Sequence, residues 1–214
     1  MLDKDIREPL FDYLDERYGK VRIIEEKVIK NSRADVIAVV DGELLGFEIK
    51  SDNDTYTRLK TQIKDYELFC DRCYIVVGER HTQVEKHVPE HWGIIVVNQE
   101  NVIVDRDAEL SPKVKLHNQL DLLWRSELSS IQEKEGLPKL ASTKRKLIYD
   151  RLINTVGEDR IKRDITEQLF ERDYTVFDNS IIKKKRKKKR IISGSASDKV
   201  RAHVTHYVGR RKKK

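Results

Sequence analysis

Hydrophobic and polar positions follow a strand-like pattern most clearly in residues 20–50, and this pattern predicts β-structure. Residues 20–30 have the composition of one strand, and residues 34–50 that of a hairpin. The dipeptide Asp41-Gly42 separates two apolar runs of this hairpin. We expect it to form a two-residue turn, because such turns need residues that tolerate positive φ.

Helical spacing flanks these strands and sets the order of the elements. Apolar residues recur at helical intervals in residues 3–19 and 55–70, whereas 73–78 and 92–98 are short apolar runs typical of buried strands. A polar helical stretch is expected before the second run, and 101–105 is predicted to pair with it. The resulting order, αβββαβ(α)ββ, predicts the α/β class, with a mixed sheet covered by helices on both faces.

The pattern changes near residue 112, where helical periodicity replaces alternation. Three helices are predicted, at residues 116–128, 141–154 and 158–172. Gly136 and Pro138 separate the first two of them. The chain is therefore predicted to contain three parts, namely a core (1–110), a helical region (111–175) and a basic, flexible tail (176–214).

Charge divides the chain at the same place. The net charge of +7 combines 16 basic and 24 acidic residues in 1–110 with 28 basic and 13 acidic residues in 111–214. The tail has eight consecutive cations that we expect to bind nucleic acid, unless they are only a solvated run. These are Lys183, Lys184, Lys185, Arg186, Lys187, Lys188, Lys189 and Arg190.

Targeting signals are not visible in the sequence. The first ten residues contain no apolar signal segment, and no apolar run approaches the length of a membrane helix. Two cysteines cannot build a disulfide framework. We therefore expect a cytoplasmic protein without a membrane partner.

Three charged residues interrupt the predicted hairpin. With Asp41-Gly42 as the turn, Asp35 lies directly opposite Glu48, and Lys50 shares the face of Glu48. Like charges that face each other destabilise a ladder, whereas a divalent cation between them would convert repulsion into ligation. The alternative is a surface salt-bridge patch, but the apolar opposite face argues against an exposed hairpin.

The same residues resemble the PD-(D/E)xK nuclease superfamily. Asp35 is followed by Glu48-Ile49-Lys50, and Ala34 stands where the motif name has proline. Gln62 and Tyr66 are similar to the QxxxY signature of the RecB-like branch, which includes small bacterial and phage nuclease-like proteins. The resemblance covers about residues 1–105 and implies a restriction-endonuclease-like αβββαβ core.

This resemblance implies hydrolysis of phosphodiester bonds with Mg²⁺ or Mn²⁺. Asp35 and Glu48 would hold the metal, and Lys50 would orient the attacking water or neutralise charge. The backbone carbonyl of Ile49 is implied as a further ligand, and Glu8 as an additional carboxylate. Gln62 and Tyr66 would support the catalytic site.

Less specific interpretations stand beside these assignments. Glu8 could simply complement a helix dipole, Tyr66 could fill the core, and Arg58, a candidate phosphate contact, could be a solvated charge. Asp52 and Asp54 are expected to cap a helix that starts near Thr55, although their closeness to the site also allows a metal role.

Cys70 and Cys73 form a C-x-x-C motif, which could indicate a zinc site. Structural zinc needs four ligands, however, and the other two would have to come from His81, His87 and His91, which are the nearby histidines. Buried thiols therefore explain the motif better. We treat these cysteines as part of the core.

Two functional classes follow from the sequence. The first is a metal-dependent DNA nuclease whose basic C-terminal region holds the substrate, and the second is a non-catalytic nucleic-acid-binding protein that retains the fold. An RNA substrate and a homo-oligomer also remain open, because phosphate contacts carry no information about the sugar or the base.

Overall fold

The computed structural model describes residues 1–99, 101–138 and 144–174. The described residues form six strands and six α-helices. The strands are β1 (Arg22–Ile29), β2 (Ser32–Val40), β3 (Glu43–Lys50), β4 (Arg72–Gly78), β5 (Gly93–Val97) and β6 (Val102–Arg106). The helices are α1 (Asp3–Tyr18), α2 (Leu59–Phe69), α3 (Leu116–Asp121), α4 (Arg125–Lys134), α5 (Arg145–Val156) and α6 (Glu158–Glu171).

The six strands form one mixed sheet in the order of the sequence. β1, β2 and β3 are antiparallel neighbours, β3, β4 and β5 are parallel neighbours, and β6 returns antiparallel to β5. The α2 connection between β3 and β4 supplies the crossover that a parallel pair requires. The predicted mixed α/β sheet with flanking helices is therefore confirmed.

The sheet separates two apolar clusters. On one face α1 packs Leu10 and Leu14 against Phe47 and Val76. On the other face α2 and the C-terminal helices share a single larger cluster. Burial on both faces explains why β4 is an almost unbroken apolar run.

The C-terminal helices complete the core on the α2 face. Lys162 of α6 approaches the carboxylate of Asp71, with 3.1 Å between Nζ and Oδ1, and Asp71 is only 1% exposed. Gln119 of α3 donates a hydrogen bond to the same carboxylate. The backbone N–H of Gly42 donates to the hydroxyl of Thr166, which fixes the hairpin turn against α6.

Two predicted helices differ in the structure. Residues 116–128 form two helices, because Trp124 has extended backbone angles and Glu127 accepts its N–H to begin α4. The polar stretch before β5 contains only a short 3₁₀ turn, Val84–Lys86. Pro89 disfavours helical geometry at the residue before it, which limits any extension of that turn.

Part of the sequence lies outside the described residues. The predicted basic tail 176–214, including the run 183–190, belongs to this part, as does the beginning of the predicted helix 141–154. Within the described ranges, no helix combines the length and the apolar character needed to cross a bilayer.

Candidate active site

The β2–β3 ladder opens where the sequence places its acids. The predicted register holds from Val40↔Glu43 to Val36↔Phe47, and the pairing ends there. Asp35 and Glu48 therefore continue the expected register but form no ladder pair, which corrects the prediction that they face each other within it.

The side chain of Tyr66 occupies the opening between the strands. Its hydroxyl accepts the backbone N–H of Asp35 at 2.9 Å and donates to the carbonyl of Phe47 at 3.0 Å. The carboxylate of Asp35 in turn accepts the N–H of Ile49 at 2.9 Å. Side-chain oxygens thus replace the direct β2–β3 bonds, and the strands remain apart without leaving these groups unpaired.

The β1–β2 ladder is also interrupted beside Asp35. Glu26, at the facing position, has a φ of 54° and is skipped by the pairing. Arg7 of α1 donates to the carbonyl of Asp35 at 3.2 Å and contacts Glu25 at 3.1 Å and Glu26 at 2.9 Å. Asp35 is therefore held by α1 on one side and by α2 on the other.

Glu48, Lys50 and Gln62 form one connected cluster on the α2 face of the sheet. Glu48 is 1% exposed and Lys50 is 5% exposed. The ammonium of Lys50 lies 2.6 Å from Oε1 of Glu48 and 3.3 Å from Oε1 of Gln62. The amide of Gln62 also donates to Oε1 of Glu48. Oε2 of Glu48 is buried and has no hydrogen-bond partner.

The surroundings of Asp35 disfavour the ionised form of its carboxyl group. Burial first, and the charge of Glu48 second, raise the pKa of Asp35 to about 7. The N–H of Ile49 and the charges of Arg7 and Lys50 oppose this rise. A carboxyl group in this position ionises fully near neutral pH only with further positive charge nearby.

The residues at this opening fit a hard divalent cation in part. Among the described residues no group of three or more His, Cys, Asp or Glu side chains is arranged to hold a metal. Mg²⁺ commonly uses one or two carboxylates and takes its other ligands from water and substrate phosphate. Asp35 could provide one carboxylate, and the unpartnered Oε2 of Glu48 is an oxygen that could provide another.

The other predicted metal ligands have different surroundings. Glu8 is exposed on α1, and no hydrogen bond or ion pair within the described chain joins it to Asp35 or Glu48. Its neighbour Arg7 is the α1 side chain that bonds to Asp35. Ile49 is fixed through its N–H, and the proposed role of its carbonyl stays a prediction.

A pocket of about 510 Å³ adjoins Asp35 and Gln62. Arg58, predicted as a phosphate contact, lines this pocket beside α2, and it is also lined by Lys30 of the β1–β2 turn and by Arg33 near the start of β2. Lys30 and Arg33 were not predicted from sequence. In the sequence they are only polar residues between two apolar strand segments, and this pattern does not indicate that α2 packs nearby.

Asp52 and Asp54 do not cap α2. The helix begins at Leu59, and its N-cap residue Arg58 makes no side-chain capping bond. Asp54 instead accepts the N–H of Ser51 at 2.7 Å, and Asp52 pairs with the amino group of Met1. Residues 55–58, which the sequence pattern assigned to the first helical turn, belong instead to the loop after β3.

Cys70 and Cys73 are both free and buried. Burial raises the pKa of the Cys73 thiol well above its ordinary value. These properties agree with the interpretation of the pair as core thiols.

The fold and the site together define a mixed α/β protein whose sheet opens around a half-buried aspartate beside a buried Glu–Lys pair. The family model for bacteriophage P4 protein cII matches residues 2–195, so the chain belongs to this family.

One curated relative is Protein cII of Enterobacteria phage P4, which is 30% identical over 121 residues. The match covers 54% of this chain and 46% of the relative, so the chain spans about half the length of that protein.

Two solved structures show more distant similarity. The SPO1766 protein of unknown function from Silicibacter pomeroyi has a TM-score of 0.45 at 18% identity, covering 65% of this chain and all (100%) of that one. SfsA of Pyrococcus furiosus in complex with Ca²⁺ has a TM-score of 0.28 at 16% identity, covering 53% of this chain and 62% of that one. Similarity of this extent carries no functional argument.

Proposed function

We propose that the protein is a divalent-metal-dependent nuclease that hydrolyses phosphodiester bonds, with DNA as the substrate. The proposal includes the finer assignment to the PD-(D/E)xK superfamily and its RecB-like branch. The observation that carries it is the opening of the β2–β3 ladder at Asp35, next to the buried pair of Glu48 and Lys50.

The opening has no evident structural purpose if the hairpin is only part of the core. Burying two carboxylates near one another is costly unless they are paired or bind a cation. Lys50 compensates Glu48 on one oxygen only, and Asp35 keeps a raised pKa. Such residues are candidates for a functional site because their local cost requires a compensating role.

Each side chain would have a distinct role in hydrolysis. Asp35 and Glu48 would hold the metal, and Lys50 would place its positive charge near the charge that develops on the phosphate. Gln62 would keep the carboxylate of Glu48 and the ammonium of Lys50 in position, since it bonds to both. A bound Mg²⁺ or Mn²⁺ would lower the pKa of a coordinated water and stabilise negative charge.

The first test is replacement of the ammonium group. We expect Lys50→Ala to abolish cleavage of plasmid, linear and single-stranded DNA in Mg²⁺ or Mn²⁺, while it leaves DNA binding largely intact. Wild-type protein in EDTA should also be inactive. Lys64→Ala, which removes an exposed lysine of the same helix as Gln62, is the matched control and should cleave at the wild-type rate.

The outcomes separate the two functional classes. Cleavage by Lys50→Ala at the wild-type rate would show that the site is assigned wrongly. A wild-type protein that binds DNA but cleaves none of the substrates with either metal would favour the non-catalytic nucleic-acid-binding alternative. The predicted tether 183–190 lies outside the described residues, so its contribution to binding stays a prediction.

A further inference from the structure

The pocket beside Asp35 is lined by several basic residues, whereas residues 1–110 as a whole contain more acidic than basic side chains. Lys30 and Arg58 line it from two different elements, one on the β1–β2 turn and the other at the start of α2. Both side chains are exposed, and neither makes an ion pair with another described residue. Arg33, also on the wall, is engaged with Glu26 at 2.5 Å. Two cations of the pocket are thus available to a ligand with separated negative charges.

The local backbone helps to position both side chains. Lys30 has a φ of 54°, a left-handed conformation that is uncommon outside glycine, and this turn places the residue at the rim of the pocket. Arg58, the N-cap residue of α2, makes no side-chain capping bond, so its guanidinium is not used to close the helix end.

A hydrogen bond joins the two elements that line the pocket. The hydroxyl of Ser32, at the start of β2, donates to the carboxylate of Asp65, on α2, at 2.7 Å, and Asp65 is buried. A pocket of about 510 Å³ lies within the size range of small-ligand sites, about 300–1,000 Å³. A volume of this size suits a ligand of small-molecule dimensions, such as a short segment of one strand, better than a duplex.

The depth of the acidic cluster leads to the same conclusion. Glu48 and Lys50 are almost completely buried and do not line the pocket themselves, so a phosphate must enter it as far as Asp35 and Gln62 to approach them. A duplex resists local bending, with a persistence length of about 150 base pairs, whereas an unpaired strand can turn into a pocket. We propose that this pocket binds the backbone of a single-stranded nucleic acid segment, with Lys30 and Arg58 contacting phosphates on either side of the one beside Asp35. The inference deepens the proposed nuclease function and rests on it.

The experiment measures binding without hydrolysis. Fluorescence anisotropy of the full chain in EDTA would compare a labelled oligothymidylate with a duplex of the same length. Lys30→Gln/Arg58→Gln removes both charges and keeps long side chains. Lys64→Gln is the control, because Lys64 is also exposed on α2 but does not line the pocket. Thermal melts should show that all three proteins have the same stability.

We expect the double variant to bind the single strand about tenfold more weakly, and the slope of log K against log salt to decrease by about 1.4 for two lost phosphate contacts. Lys64→Gln should match the wild type. Unchanged single-strand affinity in the double variant would overturn the inference, and so would an equal loss of affinity for the duplex.

A parallel cleavage assay with Mn²⁺ keeps the two proposals distinguishable. If the wild type cleaves but the double variant binds and cleaves a single strand normally, the pocket assignment fails and the nuclease proposal stands. If the wild type never cleaves while the double variant still loses single-strand affinity selectively, the nuclease proposal fails and the pocket assignment is supported.

Discussion

Asp35 combines a backbone that is fully hydrogen-bonded with a carboxyl group in an unfavourable electrostatic position. Its N–H and C=O are satisfied by Tyr66 and Arg7 rather than by neighbouring strands. Its carboxyl group receives one backbone N–H, from Ile49, and lies in the field of Glu48. Burial and the charge of Glu48 therefore favour the neutral form of this acid below about pH 7.

This preference predicts how stability depends on pH. The pKa of Asp35 rises from 3.8 to about 7 on folding, so its contribution to stability is fully present below 3.8 and is lost progressively as the pH rises from there through about 7. We expect Asp35→Asn to raise the melting temperature in EDTA at pH 8, and to raise it less at pH 5. Differential scanning calorimetry at the two pH values provides the measurement.

The same variant tests whether Asp35 holds a cation. Mg²⁺ or Mn²⁺ should stabilise the wild type at pH 8 and should stabilise Asp35→Asn much less, because one carboxylate is missing. Asp12→Asn, which neutralises an exposed acid on α1, is the control and should keep the response to metal. An equal response of all three proteins would contradict a metal role for Asp35.

At the scale of secondary-structure elements, the β2–β3 hairpin has two different ends. Near the Asp41-Gly42 turn the strands pair directly, as the sequence predicted. At the other end a hydroxyl from α2 connects them, and this arrangement was not predicted. Turn chemistry is a local property that can be recognised in a few residues, whereas the position of Tyr66 depends on the packing of α2 on the sheet. Gln62 and Tyr66 were found only because their spacing resembles a known signature.

Removal of this hydroxyl should therefore affect stability and the site together. In Tyr66→Phe the N–H of Asp35 and the carbonyl of Phe47 lose their partner, and we expect a loss of about 2 kcal/mol in the free energy of unfolding. Urea denaturation would measure it. Tyr13→Phe is a useful control, because it removes a phenol whose hydrogen bond to Arg17 is exposed. A change of less than a few tenths of a kcal/mol in Tyr66→Phe would show that the hydroxyl does not bridge the strands.

At the scale of the whole molecule, the C-terminal helices cover part of one face of the sheet. The cluster on the α2 face includes residues on both sides of position 110, for example Leu44 and Ile75 with Leu128 and Ile165. The sequence predicted helices in this region from their periodicity. It did not show that they pack on the sheet, because the contact between Lys162 and Asp71 joins residues that no local pattern relates.

A truncation experiment follows from this arrangement. The fragment 1–110 would expose one apolar face of the sheet and leave the carboxylate of Asp71 without Lys162 and Gln119. We expect it to bind a hydrophobic dye and to melt without a cooperative transition. The fragment 1–174 retains every described contact and should melt like the full chain. A cooperative transition of 1–110 near the melting temperature of the full chain would show that the first 110 residues form an independent domain.

The hydroxyl oxygen at position 66 also gives a criterion for sorting relatives. A cII-family protein that has phenylalanine there has no atom to separate the two acid-bearing strands, and they should then pair along their full length. Such a protein could keep every acidic and basic residue of the motif without the opening on which the proposed chemistry depends, whereas a tyrosine at that position would identify relatives that can form it.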